Sequence, residues 1–170
     1  MSGFEPFAEL DTRYSHESAT ASPWSAAKEL LTRAEMYWLS TVRPDGRPHV
    51  TPLIGVWSKG ALYFCTGASE RKGRNLAANP EVVLTTGDNT LSEGIDVVVE
   101  GRAERVTDRD RLNRLAAAWE SKYGPEWHFD VQDGTFRHAG RAALVFEVSP
   151  RTVFGFGKGA TYSQTRWRFS

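Results

Sequence analysis

Three aromatic and β-branched runs lie almost end to end: MYWLSTVR (36–43), RPHVTPLIGVW (47–57) and ALYFCT (61–66). Only Pro44-Asp45-Gly46 and Ser58-Lys59-Gly60 divide them, and such short Gly-containing turns favour hairpins. The spacing therefore predicts an antiparallel meander. Pro48 and Pro52, four apart, cannot both donate to a central ladder, so the middle run is expected at a sheet edge or locally bulged.

The same pattern continues downstream. EVVLTT (81–86) and IDVVVEGRAERVT (95–107) read as strands, with Gly101 expected at a bulge or bend. RAALVFEVSP and RTVFGFG read as two more, the glycines of the second suggesting a flexible strand end. About seven strands are expected. A first helix is expected after residue 21, capped by Ser22 with Pro23 at its first position and Ala26, Ala27, Leu30, Leu31 and Ala34 at helical spacing. A short helical stretch is expected between Gly67 and Asn79. A third helix spans 108–123, capped by Asp108, with Leu112, Leu115, Ala116 and Trp119 on one face and Gly124-Pro125 at its end. Residues 125–140 read as irregular and residues 1–21 as a mobile arm. Strands and helices do not alternate, which argues against a parallel doubly wound sheet. The expected fold is mainly β: an antiparallel barrel with peripheral helices, formed by one domain over 22–170.

Charge excludes several partners. The 170 residues carry 21 basic and 21 acidic side chains, a pI of about 6.9. A dedicated nucleic-acid binder or a polybasic membrane anchor would show a basic excess. A lone cysteine, Cys65, excludes an intramolecular disulfide and a multi-cysteine zinc site, and the cytoplasm is the simplest expected compartment. No apolar run approaches the roughly 20 residues that cross a bilayer, and the N-terminus lacks the features of a signal peptide. No dinucleotide or Walker fingerprint, HExxH pair or Gly-x-Ser-x-Gly elbow is present. Six tryptophans within a 12% aromatic content suit either a flat ligand or a β core built with rings.

The stretch Thr66-Gly67-Ala68-Ser69-Glu70-Arg71-Lys72-Gly73-Arg74-Asn75-Leu76 follows a strand and opens a helix. Ser69 is the expected cap. Arg71 and Lys72 oppose the helix macrodipole in the first turn, a conflict that a bound anion would resolve. A hydroxyl from Thr66 or Ser69, the helix-start N–H groups and two cations would form a phosphate cradle. A solvated charged helix face is the other outcome of such a run.

Taken together, LSTVRPDGRPHVTPL, LYFCTGASERKGRNLAANPEVVL, VEGRAERVTD and QTRWRF resemble the pyridoxamine 5′-phosphate oxidase-like split-barrel superfamily. The chain is most similar to its actinobacterial flavin/deazaflavin oxidoreductases. The resemblance spans roughly 23–169. It implies a homodimer with two sites at the subunit interface, each holding FMN or coenzyme F420. Thr66, Ser69, Arg71 and Lys72 would then hold the phosphate. Val50, Thr51 and Pro52 would run along the ring, Trp57 and Trp167 would help wall it, and the tail with Arg168 would reach the site. The chain departs from the FMN oxidases at Glu70, where they commonly have serine, at Thr51, where they have arginine, and at Val56, where they have lysine. HVTP is similar to the F420-using branch.

No residue reads as a required general base. His49, His128 and His138 could each donate a proton, though a polar structural role is commoner, and Cys65 reads as an inert buried thiol. The function implied is hydride transfer between F420 or FMN and a small conjugated or quinone-like substrate, without metal. The alternatives are a non-catalytic module of the same fold that sequesters a flavin, haem or other flat ligand, and a structural or regulatory dimer.

Overall fold

The computed structural model describes residues 5–170. Its elements run β1 (Phe7–Leu10), α1 (Trp24–Arg33), β2 (Tyr37–Val42), β3 (Pro48–Leu53), β4 (Val56–Ser58), β5 (Ala61–Thr66), α2 (Arg71–Ala78), β6 (Glu81–Thr86), β7 (Ile95–Val106), α3 (Arg109–Tyr123), β8 (Asp130–Gln132), β9 (Thr135–His138), β10 (Arg141–Gly157) and β11 (Ser163–Arg168). Every strand pairing is antiparallel, and the main path through the sheet is β1-β11-β10-β7-β6-β2-β3. The architecture is the mainly β, antiparallel split barrel that the sequence predicts.

The meander forms where the turns place it. Lys59 and Gly60 both adopt positive φ, 49° and 84°, the geometry of a tight hairpin. Pro48 and Pro52 lie in β3, which among the described residues pairs only with β2 and is therefore an edge. Gly101 stands opposite Pro150, where an added Cβ would lie 2.7 Å from the Ser149 carbonyl oxygen. The close approach thus occurs at Gly101, while the bulge itself is on β10, between Pro150 and Thr152.

That bulge corrects the strand count. The two runs read as separate strands form one 17-residue strand, β10. Its far edge changes partner across the bulge, from β5 at 144–148 to β11 at 152–157. Pro150 has no N–H to donate, so a change of partner there leaves no ladder donor stranded. The segment Phe154–Gly157 is likewise no frayed end. A Cβ on Gly155 would meet Trp167 Cη2 at 2.5 Å, so the glycine makes room for the indole.

Other expectations also shift. Eleven strands among the described residues replace about seven. The described part of the expected arm contributes β1 against β11, while residues 1–4 lie outside the described residues. At four residues, with Phe7 largely exposed, β1 leaves no legible period. The segment 125–140 contains a 3₁₀ turn at Pro125–Trp127 and the hairpin β8–β9. Its buried anchors, Phe129 and Phe136, are spaced by a turn that hides strand alternation. Pro23 occupies the cap position of α1 rather than its first turn, and the Ser22 N–H donates instead to Thr165 Oγ1 at 2.9 Å. Asp108 caps α3 as expected, accepting from the Arg111 N–H at 2.8 Å, and Gly124 ends it at φ 97°.

Two apolar clusters hold the fold. One fills the barrel around Trp24, Leu31, Tyr37, Leu39, Phe64, Val99 and Trp167. The other lies under α3, around Leu112, Trp119, Phe129, Phe136 and Val145. Each buried side chain of this size contributes about 1.5–3 kcal/mol of transfer free energy. No helix among the described residues is long and apolar enough to cross a membrane.

Candidate functional site

Side chains on β2 and β3 alternate between the two faces of the sheet. The register pairs Thr41 with His49 and Leu39 with Thr51, so His49 and Thr51 share the inner face with Thr41. Helix α2 packs over this corner. Its Asn75, fully buried, donates from Nδ2 to Thr41 Oγ1 at 3.0 Å. The start of α2 is pressed onto the preceding loop, where a Cβ on Gly73 would come within 2.3 Å of the Gly67 carbonyl oxygen. The glycine in RKGR therefore fixes where Arg71 and Lys72 begin.

Three cations converge on this corner. Partial burial lowers the His49 pKa, and Arg43, Arg71 and Lys72 lower it further. All three are therefore close enough to act on one imidazole. Seven buried side-chain polar atoms lack a partner among the described residues. Four of them, Arg43 Nε, His49 Nδ1, Thr51 Oγ1 and Asn75 Oδ1, belong to this corner. Three of these four, Arg43 Nε, His49 Nδ1 and Thr51 Oγ1, can donate, whereas Asn75 Oδ1 only accepts. Unpaired buried donors cost about 1–3 kcal/mol each, so the clustering of these three beside three cations fits an anionic ligand that supplies acceptors. The residues present suit a phosphate group.

Glu70 lies at the rim. Its Oε1 accepts from the Gly67 N–H at 2.9 Å, and its Oε2 pairs with the Lys72 ammonium. Burial raises the Glu70 pKa, but the Lys72 and Gly67 hydrogen bonds outweigh it, and the net shift is downward. Glu70, not Ser69, occupies the cap position of α2, and no side chain caps that helix. The reason is the turn closed by the Glu70 N–H on the Gly67 carbonyl at 3.2 Å, which leaves Ser69 one residue too early and exposed. Thr66 is buried, its hydroxyl donating to the Gly67 carbonyl at 3.3 Å.

The expected site residues thus divide into groups. Arg71 and Lys72 act on His49, Thr51 shares the inner face of β3 with that histidine, and Thr66 and Ser69 lie on the strand and loop that lead to α2. Val50 and Pro52 are on β3 but face outward, because neighbours in a strand point to opposite faces; they cannot line the same surface of one subunit as Thr51. Trp167 does not wall a ligand: it is fully buried, packed edge-on against Trp24 at 5.5 Å. Trp57 packs against Trp24 from another side, at 6.0 Å, and is partly buried at the edge of the core. Trp167, one of the large apolar rings that the sequence offers for a ligand, thus fills the barrel instead. Arg168 is exposed on β11, 3.7 Å from Glu9 Oε2, with β10, β7, β6 and β2 between its strand and β3 along the sheet.

Arg43 and Asn75 stand at this candidate corner, and the sequence did not single them out. A polar side chain inside a short helix, four residues after Arg71, was the available signal for Asn75. Arg43 reads from sequence only as the end of a strand. Of the histidines, only His49 is at the corner. His128 bridges Glu120 and Asp130, at 2.7 and 3.2 Å, and those carboxylates raise its pKa. Burial pushes the Cys65 thiol up to about 12, which makes it unreactive at neutral pH.

Outside the corner, the outer face of β2 and β3 exposes Trp38 and Val50, each about half accessible, with Met36 and Pro52 beside them. A groove of 540 Å³ runs from Trp38 past Thr85 and Val98 to the loop at 87–90.

Among curated proteins, the pyridoxine/pyridoxamine 5′-phosphate oxidase of Gluconobacter oxydans is 37% identical over 90 residues, which cover 46% of this chain and 44% of that enzyme. That of Burkholderia lata is 32% identical over 128 residues, 69% of this chain and 54% of the enzyme. The chain spans about half the length of these curated relatives. Among solved structures, an F420 reductase is 26% identical, covering 74% of this chain and 94% of its own, at a TM-score of 0.54. A conserved hypothetical protein of Mycobacterium tuberculosis shares the fold at a TM-score of 0.65 and 21% identity, over 84% of this chain and 88% of its own. The pyridoxamine 5′-phosphate oxidase family model matches residues 24–155, α1 through most of β10, and the chain belongs to that family.

Proposed function

We propose that this chain is a flavin- or deazaflavin-dependent oxidoreductase. It holds FMN or F420 by the phosphate, in the corner of Arg43, His49, Arg71 and Lys72, and serves a small conjugated or quinone-like substrate. The carrying observation is the grouping of unpaired buried polar atoms with three cations on the inner face of an edge strand. The family match and the likeness to an F420 reductase agree with it.

The bound ring supplies the hydride chemistry. The chain's own residues bind and orient. Arg43, Arg71 and Lys72 supply positive charge, Ser69 offers an exposed hydroxyl, and Thr51 presents its hydroxyl along β3. The edge position of β3 leaves one side of its backbone open to a ligand's polar rim. Dimerisation belongs to the same proposal. Trp38, Val50 and Pro52 form an outward apolar strip that a second copy would cover, which would bring the outer face of β3 into a site shared by two subunits.

The test is the absorbance of protein purified from a host that makes both cofactors. Bands near roughly 375 and 450 nm report FMN, and a single band near roughly 400–420 nm reports the deazaflavin. Either supports the proposal. A colourless protein that takes up neither added cofactor overturns it, and a sharp Soret band would replace it with a haem-sequestering module.

A further inference from the structure

We infer that Glu70 sets the net charge of the phosphate corner and thereby selects a phosphodiester tail over a phosphomonoester one. The inference rests on the phosphate-binding proposal above. An extra carboxylate beside a phosphate site would be harmless if it pointed away. Here it does not. One oxygen holds the Gly67 N–H at 2.9 Å, and the other pairs with Lys72, whose side chain is only 15% exposed. Gly73 allows α2 to press against the Gly67 carbonyl, so the loop, the carboxylate and the lysine are held as one unit.

Two consequences follow for a bound anion. First, the carboxylate cancels one of the three positive charges that converge on His49. Second, it already holds the Gly67 N–H and one of the three Lys72 protons, which leaves fewer donors for a terminal phosphate. Both penalties grow with the charge and oxygen count of the ligand. The FMN phosphate is a terminal monoester that presents three oxygens and a charge of about −1.5 to −2 at pH 7. The F420 phosphate is an internal diester with a single negative charge and two unesterified oxygens. Arg43 and Arg71, with the hydroxyl of Ser69, match the second better than the first. Asn75 backs the same corner: it is 1% exposed, and its unpartnered Oδ1 adds no donor for a third phosphate oxygen. A serine at position 70, as the FMN oxidases commonly have, would replace a repulsive charge with a donor.

The test is fluorescence titration of the full chain with four ligands: FMN, riboflavin, F420 and the F420 chromophore without its phosphate tail. Wild type is compared with Glu70→Gln, Glu70→Ser and Glu70→Asp, each checked for an unchanged circular dichroism spectrum. Position 70 is half exposed, and two neutral variants guard against one that fails to fold. Wild type is expected to bind F420 more tightly than FMN. In Glu70→Gln and Glu70→Ser that preference should shrink by about two- to fivefold, the effect of one half-exposed charge at contact distance. Glu70→Asp should retain it, and neither riboflavin nor the bare chromophore should respond. An unchanged preference in both neutral variants, or an equal gain for all four ligands, overturns the inference but leaves the flavin proposal standing. Failure of every protein to bind any of the four overturns both.

Discussion

Lys122, in the last turn of α3, donates to the Tyr37 hydroxyl of β2 at 2.9 Å and to the Gly55 carbonyl at the same distance. Two donors for two acceptors is what a neutral amine supplies. Burial lowers the Lys122 pKa to about 8, and Glu35 opposes the shift only in part.

A group whose folded pKa lies below its unfolded value stabilises the fold in its neutral form. For Lys122 that contribution is complete above the unfolded value of about 10.4 and is lost as pH falls through about 8. Denaturant titrations of wild type and Lys122→Met between pH 7 and 10 should show wild type gaining stability relative to the variant as pH rises. A constant difference would mean that the amine stays charged throughout.

The contact between Gly155 and Trp167 should appear as a coupling. Gly155→Ala forces Cβ into the indole and should cost about 1–3 kcal/mol. Trp167→Leu opens a cavity and should cost about 2–5 kcal/mol. In the double variant the alanine occupies part of that cavity, so the combined loss should be smaller than the sum of the two. Additive losses in a denaturation cycle would show that the glycine serves another purpose.

Thr51 Oγ1 is buried and unpaired. Thr51→Val removes that atom at nearly constant volume and should raise the stability of the ligand-free protein by about 1 kcal/mol. It should also weaken binding of a phosphorylated flavin. Calorimetry and titration on the same sample test the pair of effects. A loss of stability would mean that the hydroxyl is satisfied within the protein itself.

Arg71 has no carboxylate partner among the ion pairs of the described residues, whereas Lys72 is paired with Glu70. Arg71→Ala should weaken binding of a phosphorylated flavin by about 1.5–3 kcal/mol and leave riboflavin unchanged. Lys72→Ala should cost less than Arg71→Ala, because the wild-type lysine must share its charge. Equal losses for the ligands with and without phosphate would move the phosphate elsewhere.

Trp38 is the centre of the outward apolar strip. Sedimentation should show wild type as a dimer, and Trp38→Glu should shift it toward monomer while leaving the melting of the monomer unit little changed. A wild-type monomer that still binds cofactor would remove the shared-site geometry.

Much of the fold, including the elements that frame the candidate corner, was legible along the chain, because local rules act locally. Prolines four apart put β3 at an edge, the short turns made hairpins, Asp108 and Gly124 bounded α3, and cations out of place at a helix start marked Arg71 and Lys72. What the chain could not disclose depends on contacts between distant residues. Only the packed barrel assigns Trp167 to the core and leaves Trp57 half-buried at its edge, because an indole's value to a ligand or to an interior depends on which neighbours close around it. Only the register turns Val50 and Pro52 outward while Thr51 faces in. Only the tertiary fold brings Arg43 and Asn75 to His49, and Glu70 onto Lys72, since a charge acts on whatever lies within a few ångströms of it rather than on its neighbours in sequence.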